Sequence, residues 1–130
     1  MGPAILYVFG SRAEEVRVWL AGARDTLSPG PSDVDIGALP PRGSGWSVHE
    51  TVRLALALEE LLGVSRVDVV VLDKADPFVA AAVIRGDRLF ARDERAADEF
   101  DLYVLRRAGD LIPLKRERMD LLFTGVTRSA

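Results

Sequence analysis

A chain of 130 residues has room for one hydrophobic core, and 48% hydrophobic with 28% charged residues is the balance of a polypeptide that folds as a single globule. Seventeen basic against twenty acidic side chains leave a formal net charge of -3, which disfavours a broad basic nucleic-acid surface, while zero cysteines and one histidine exclude disulfide scaffolds, zinc ribbons, iron–sulfur clusters, thiol catalysis and multi-histidine metal sites. The N-terminal apolar run is too short to span a bilayer and has no basic segment ahead of it, so the expected compartment is the cytoplasm, with no membrane partner.

Ala4 to Phe9, bounded by Pro3 and Gly10 and rich in β-formers, reads as an interior strand. Over residues 12–27, Val16, Trp19, Leu20, Ala23 and Leu27 recur at helical spacing, which favours a helix over the competing alternation of Val16, Val18 and Leu20. The breaker Ser28-Pro29-Gly30-Pro31 then precedes a second strand from Asp33 to Leu39, and Pro40 to Trp46 is a Gly/Pro-rich loop. Ser47 with Glu50 three residues later has capping-box spacing ahead of a helix carrying Leu54, Leu58, Leu61 and Leu62, which Gly63 ends. Val67 to Leu72 is almost continuously apolar, the pattern of a strand covered on both faces, with Asp68 as its one interruption.

Phe78 to Ile84 reads as a short helix closed at Gly86, and Arg88 to Ala91 as a short edge strand. A long helix is expected from Glu94 to Phe123, with Ala97, Phe100, Val104, Ala108, Leu111, Leu114 and Leu122 facing inward and Pro113 bending it. Leu102, Leu105 and Ile112 fall off that stripe and are expected to leave an apolar face exposed. The domain is expected to span residues 1–126, with 127–130 a frayed tail.

Three features carry chemistry. Residues two apart on a strand share a face, so Asp33 and Asp35 present adjacent carboxylates that repel unless a cation joins them. Asp68, inside an apolar run, calls for neutralisation or a metal, because an unpaired buried carboxylate costs several kcal/mol, roughly. Oxygen ligands with open positions suit magnesium. Gly10-Ser11, where a strand enters a helix, offers backbone N–H groups and a hydroxyl to an anion. Phosphate on one side and metal on the other describe a nucleoside triphosphate.

Phe9-Gly10-Ser11-Arg12-Ala13, Ser32-Asp33-Val34-Asp35-Ile36-Gly37 and Val67-Asp68-Val69-Val70 together resemble the Gly-Ser, Asp-x-Asp and third-Asp motifs of polymerase-beta-like nucleotidyltransferases, in order and on three successive predicted strands. Size and the C-terminal helix point within that superfamily to the minimal nucleotidyltransferases, many of which are antitoxins paired with a helical HEPN-type toxin. The resemblance implies an α+β fold, a small mixed sheet with helices packed on it and a long C-terminal helix. It also implies transfer of a nucleoside monophosphate, AMP from ATP, to a hydroxyl of a partner protein. Asp33, Asp35 and Asp68 would then be the catalytic carboxylates and the ligands of two Mg2+ ions, and Gly10, Ser11 and Arg12 would hold the phosphates. The alternative implied function is an inactive binding module that neutralises the HEPN-type toxin by occlusion. Relative to the family, residues 14–28 form an insertion able to lengthen the helix behind the phosphate turn or to act as a lid, and the helix usually found before the first strand has no counterpart in these residues.

The remaining candidates have structural explanations. His49 falls in a helix's first turn beside the capping pair and receives no catalytic role. Trp19 and Trp46 are expected in the core or at its rim, not stacked on a base. Arg106, Arg107, Lys115, Arg116 and Arg118 are interspersed with acids, as on a solvated helix face.

Overall fold

The computed structural model describes residues 2–22, 27 and 33–110. The chain runs β1 (Ile5–Phe9), α1 (Ala13–Leu20), β2 (Val34–Leu39), α2 (Val48–Leu62), β3 (Val67–Val71), α3 (Pro77–Ile84) and β4 (Asp87–Ala91), followed by a helix over 94–110, here α4. The strands form one four-stranded sheet in the order β3-β2-β1-β4, with β1 antiparallel to β2 and β4 and β2 parallel to β3. The expected α+β architecture, a small mixed sheet with helices packed on it, is the one observed.

Strand alternation sorts the core into two layers. Ile5 and Tyr7 of β1 pack with Leu72, with Ala80, Ala81 and Val83 of α3, and with Ala97, Val104 and Ala108 of α4. On the other face Val8, Val34, Ile36 and Val67 pack with Val16 of α1, with Leu27, and with Leu58 and Leu62 of α2. The helices on both faces explain why β1 and β2, the two central strands, are apolar on both sides, whereas β4 is a half-exposed edge.

Local signals act where the sequence places them. Ser47 Oγ accepts the Glu50 backbone N–H at 3.3 Å, and Gly63 closes α2 in a left-handed conformation at φ 70°. Asp76 caps α3 by accepting the Phe78 N–H at 2.8 Å, which brings Pro77 into the first turn and starts that helix one residue before the expected Phe78.

Two elements differ from expectation. The helix predicted over 12–27 stops at Leu20, and the chain turns through Ala21 and Gly22, whose φ of 82° a helix cannot continue. β3 packs on both faces, Val67 and Val69 on one and Val70 on the other, yet it lies at the sheet edge and is mostly half-buried, because hydrophobicity reports apolar contact and not position in the strand order. In α4, Ala97, Val104 and Ala108 are buried while Leu102, Tyr103 and Leu105 are exposed, as the inward stripe requires. The expectations for Leu111, Ile112, Pro113, Leu114, Lys115, Arg116, Arg118, Leu122 and the 127–130 tail lie outside the described residues.

A polar network ties β1 to α4. The Tyr7 hydroxyl donates to Asp101, and Arg88 of β4 reaches Asp101 Oδ2 at 2.8 Å, Glu94 Oε2 at 3.0 Å and Asp98 Oδ1 at 3.0 Å. Burial raises the Tyr7 phenol above its usual range, and its bond to Asp101 and that carboxylate's charge raise it further, against a smaller opposing pull from Arg88.

Candidate active site

The site forms at the sheet end where β1 finishes and β2 and β3 begin. Asp35 of β2 is the register partner of Phe9 in β1 on one side and of Asp68 in β3 on the other. Partners in a ladder share a face, so the Asp35 and Asp68 carboxylates stand next to one another, and Asp33 joins them two residues upstream of Asp35. Burial pushes the Asp35 carboxyl above its ordinary value, and the charges of Asp68 and then Asp33 push it the same way.

Asp68 is not sequestered in the core. On the edge strand its side chain is 45% exposed, and Arg66 Nε lies 3.2 Å from its Oδ1. The same Nε is 3.6 Å from Asp33 Oδ2, so one guanidinium bridges the two outer carboxylates while Asp35 sits deeper. The sequence-based cost of a buried Asp68 therefore does not arise, and the most desolvated member of the cluster is Asp35.

β1 gives way to α1 through Gly10 and Ser11. Gly10 adopts φ 80°, and a Cβ there would collide with Oδ2 of Asp35, so the turn packs glycine against carboxylate. Ser11 is exposed, and the N-cap residue Arg12 makes no capping hydrogen bond to the first turn of α1. Those backbone N–H groups, at the positive end of the helix, are therefore not claimed by the N-cap side chain. Arg12 itself is 7% exposed and its Nη2 bonds Glu15 Oε1 at 3.1 Å, so its guanidinium is held against α1.

Beside this turn opens a cleft of about 530 Å3, walled by Gly10, Ser11 and Arg17 on one side and Arg85, Gly86 and Asp87 on the other. Gly10 is the shared wall: it borders the cleft and abuts Asp35. An anion in the cleft would lie next to the carboxylate cluster, an arrangement that demands cations between them.

Among the described residues no three His, Cys, Asp or Glu side chains are preassembled as a metal-holding group. The donor set fits a hard divalent cation nonetheless: three carboxylates close enough for Asp68 and Asp33 to raise Asp35, two of them already sharing one positive charge.

No protein-family model matches the chain, and no curated protein does. Solved structures do. A chain of the MntA–HpeT toxin–antitoxin crystal structure carrying two aspartate-to-glutamate substitutions superposes with TM-score 0.68 at 19% identity, covering 93% of this chain and 86% of that one. A toxin–antitoxin crystal structure with AMP-PNP gives 0.66 at 19% identity over 95% and 88%. The tri-AMPylated Shewanella oneidensis HEPN toxin in complex with MNT antitoxin gives 0.64 at 19% identity over 93% and 83%. The chain has the fold of these toxin–antitoxin chains.

In this fold the structure brings Asp33, Asp35 and Asp68 together and sets Gly10 and Ser11 beside them. Arg12 is close in sequence, but its side chain is directed to Glu15 and does not line the cleft. His49 is exposed at the start of α2, Trp46 is buried and Trp19 packs against the core, so none of the three borders the cleft. Arg17 and Arg85 do border it, and sequence reasoning missed both: no spacing marks an arginine seventy-four positions after Ser11 as its neighbour across a cleft. No helix among the described residues is long and apolar enough to cross a membrane.

Proposed function

We propose that this chain is a Mg2+-dependent nucleotidyltransferase that moves AMP from ATP to a hydroxyl of a protein partner, and that the partner is a HEPN-type toxin. The observation that carries the reading is the juxtaposition at Gly10, which puts a helix start without a side-chain cap and an open cleft against Asp35, the central member of the carboxylate cluster. The fold neighbours support it: one holds AMP-PNP, one pairs an MNT antitoxin with an AMPylated HEPN toxin, and one carries its two aspartate substitutions at the two-residue spacing of Asp33 and Asp35.

In this reading Asp33, Asp35 and Asp68 hold the divalent ions. Bound there, the metal supplies charge neutralisation for the triphosphate and a more acidic acceptor hydroxyl. The chain's own residues do the rest. Gly10 and Ser11 direct N–H groups and a hydroxyl at the β- and γ-phosphates, which keeps the α-phosphorus in line with the acceptor. The acceptor oxygen bonds to the α-phosphorus, the bond to the β-phosphate oxygen breaks, and pyrophosphate departs with that electron pair. Asp68, the more exposed of the strand-borne carboxylates, takes the acceptor proton. Arg12, paired with Glu15, braces α1. The expected compartment, the cytoplasm, suits a triphosphate consumer with no cysteine.

Mass spectrometry of a HEPN-type partner incubated with this chain, Mg2+ and ATP tests the reading. The expected result is a gain of one or more AMP units that disappears with Asp33→Asn. Tight complex formation with no mass gain would instead support an occluding antitoxin without catalysis.

A further inference from the structure

Among the described residues four cations sit around the site, and three of them are engaged. Arg12 bonds Glu15, Arg66 bridges Asp33 and Asp68, and Arg17 lies 3.5 Å from Glu14. Arg85 is different. It is exposed, lines the cleft opposite Gly10 and Ser11, and its side chain has no ion pair or hydrogen bond to any described residue.

Its position is fixed by backbone packing. Arg85 ends α3, its N–H donating to Ala81 O at 3.2 Å, and the next N–H, that of Gly86, reaches Val83 O at 3.0 Å. A Cβ on Gly86 would collide with the Val8 carbonyl oxygen and lie 3.0 Å from Phe9 Cα. Only glycine permits that approach, and it clamps the end of α3 onto the last residues of β1, one step before the Gly10 turn. Arg85 is thereby held at the cleft wall although its guanidinium is free to move.

The local charge shows why a cation is needed there. The cleft wall contains Glu14 and Asp87 against Arg17 and Arg85, so it is formally neutral, and the three-carboxylate cluster lies beside it. Without Arg85 every unpaired charge of the described residues near the cleft has the sign of phosphate. A guanidinium also presents a planar fork of donors suited to phosphate oxygens.

We propose that Arg85 is a polyphosphate-contacting residue: it binds the terminal phosphates of the nucleoside triphosphate from the α3 side of the cleft, opposite Gly10 and Ser11. The inference rests on the nucleotidyltransferase reading and assigns the polarity of the substrate within it, tail toward α3 and α-phosphate toward Asp35.

Isothermal titration in low salt tests it, with inorganic tripolyphosphate, ATP and AMP as probes, each with Mg2+, on wild type, Arg85→Gln and Arg85→Lys. The expected result for Arg85→Gln is a loss of about tenfold in affinity for tripolyphosphate and ATP, from one lost charge-assisted contact, with AMP unchanged and partial recovery in Arg85→Lys. Equal affinity of wild type and Arg85→Gln for tripolyphosphate overturns the inference and leaves the enzyme reading intact. So does parallel weakening of AMP together with a lower Tm, since that marks a structural role. If wild type binds neither ATP nor tripolyphosphate, the enzyme reading and the inference fall together.

Discussion

Asp35 on β2 and Asp68 on β3 are register partners across a parallel strand pair, so two carboxylates are locked side by side by the sheet itself. Asp33 adds a third, and Arg66 bridges the outer two. The cluster is thus a place where the fold tolerates charge repulsion, and such sites trade stability for chemistry.

Asp35→Asn is expected to stabilise the metal-free chain, raising Tm by about 1–3 °C, roughly what relief of a few tenths of a kcal/mol gives in a domain of this size. The folded-state carboxyl sits above its ordinary 3.8, so the folded chain binds the proton more tightly than the unfolded one. Stability from that proton is present below the ordinary value and is lost as pH rises through the raised one. Thermal melts in a chelator across the acidic range should therefore show the gap between Asp35→Asn and wild type widening toward neutral pH.

Arg66→Gln removes the cation shared by Asp33 and Asp68 and is expected to tighten Mn2+ or Mg2+ binding several-fold by titration calorimetry. The pair is 68% exposed on the arginine side, so its contribution to stability is small, and a Tm change below about 2 °C is expected. Unchanged or weaker metal affinity would show that the bridge does not compete with the ion.

Gly10→Ala combines two penalties that a control can separate. Gly43 has a comparable φ of 71° with nothing near its Cβ position, so Gly43→Ala reports left-handed strain alone, about 1 kcal/mol. At Gly10 the added methyl also displaces Asp35. Gly10→Ala should lose at least tenfold in nucleotide affinity, while Gly43→Ala melts slightly earlier and binds normally.

Much of this site was legible in the sequence because its signals are local. Asp33 and Asp35 needed only the two-residue strand period, Gly10-Ser11 only a strand followed by a helix, and Ser47 and Gly63 only capping chemistry. What escaped depends on which strands become neighbours. The edge position of β3 exposes Asp68 and lets Arg66 reach Asp33, and neither fact is encoded near Asp68 itself. Arg85 reaches the cleft through a Gly86–Val8 contact, and Tyr7 meets Asp101 across a separation of 94 residues.

The Tyr7 network gives a prediction independent of function. Arg88→Ala leaves Glu94, Asp98 and Asp101 without their shared cation and should cost about 2 kcal/mol in chemical denaturation. Tyr7→Phe should cost less, about 1 kcal/mol, because Arg88 still satisfies Asp101. The phenol is raised in the folded state, so its contribution is intact below the ordinary 10.0 and is lost as pH climbs beyond it. Wild type should therefore lose its advantage over Tyr7→Phe in alkaline melts.

The central claim is that three carboxylates and the Gly10 turn form one triphosphate–metal site. Titrating Mg2+·AMP-PNP into wild type and Asp35→Asn tests it most directly. The account predicts saturable binding to wild type and a loss of at least about a hundredfold in the variant, which removes the central member of the cluster while leaving the chain folded. Binding of equal strength to both proteins, or none to wild type, would contradict it.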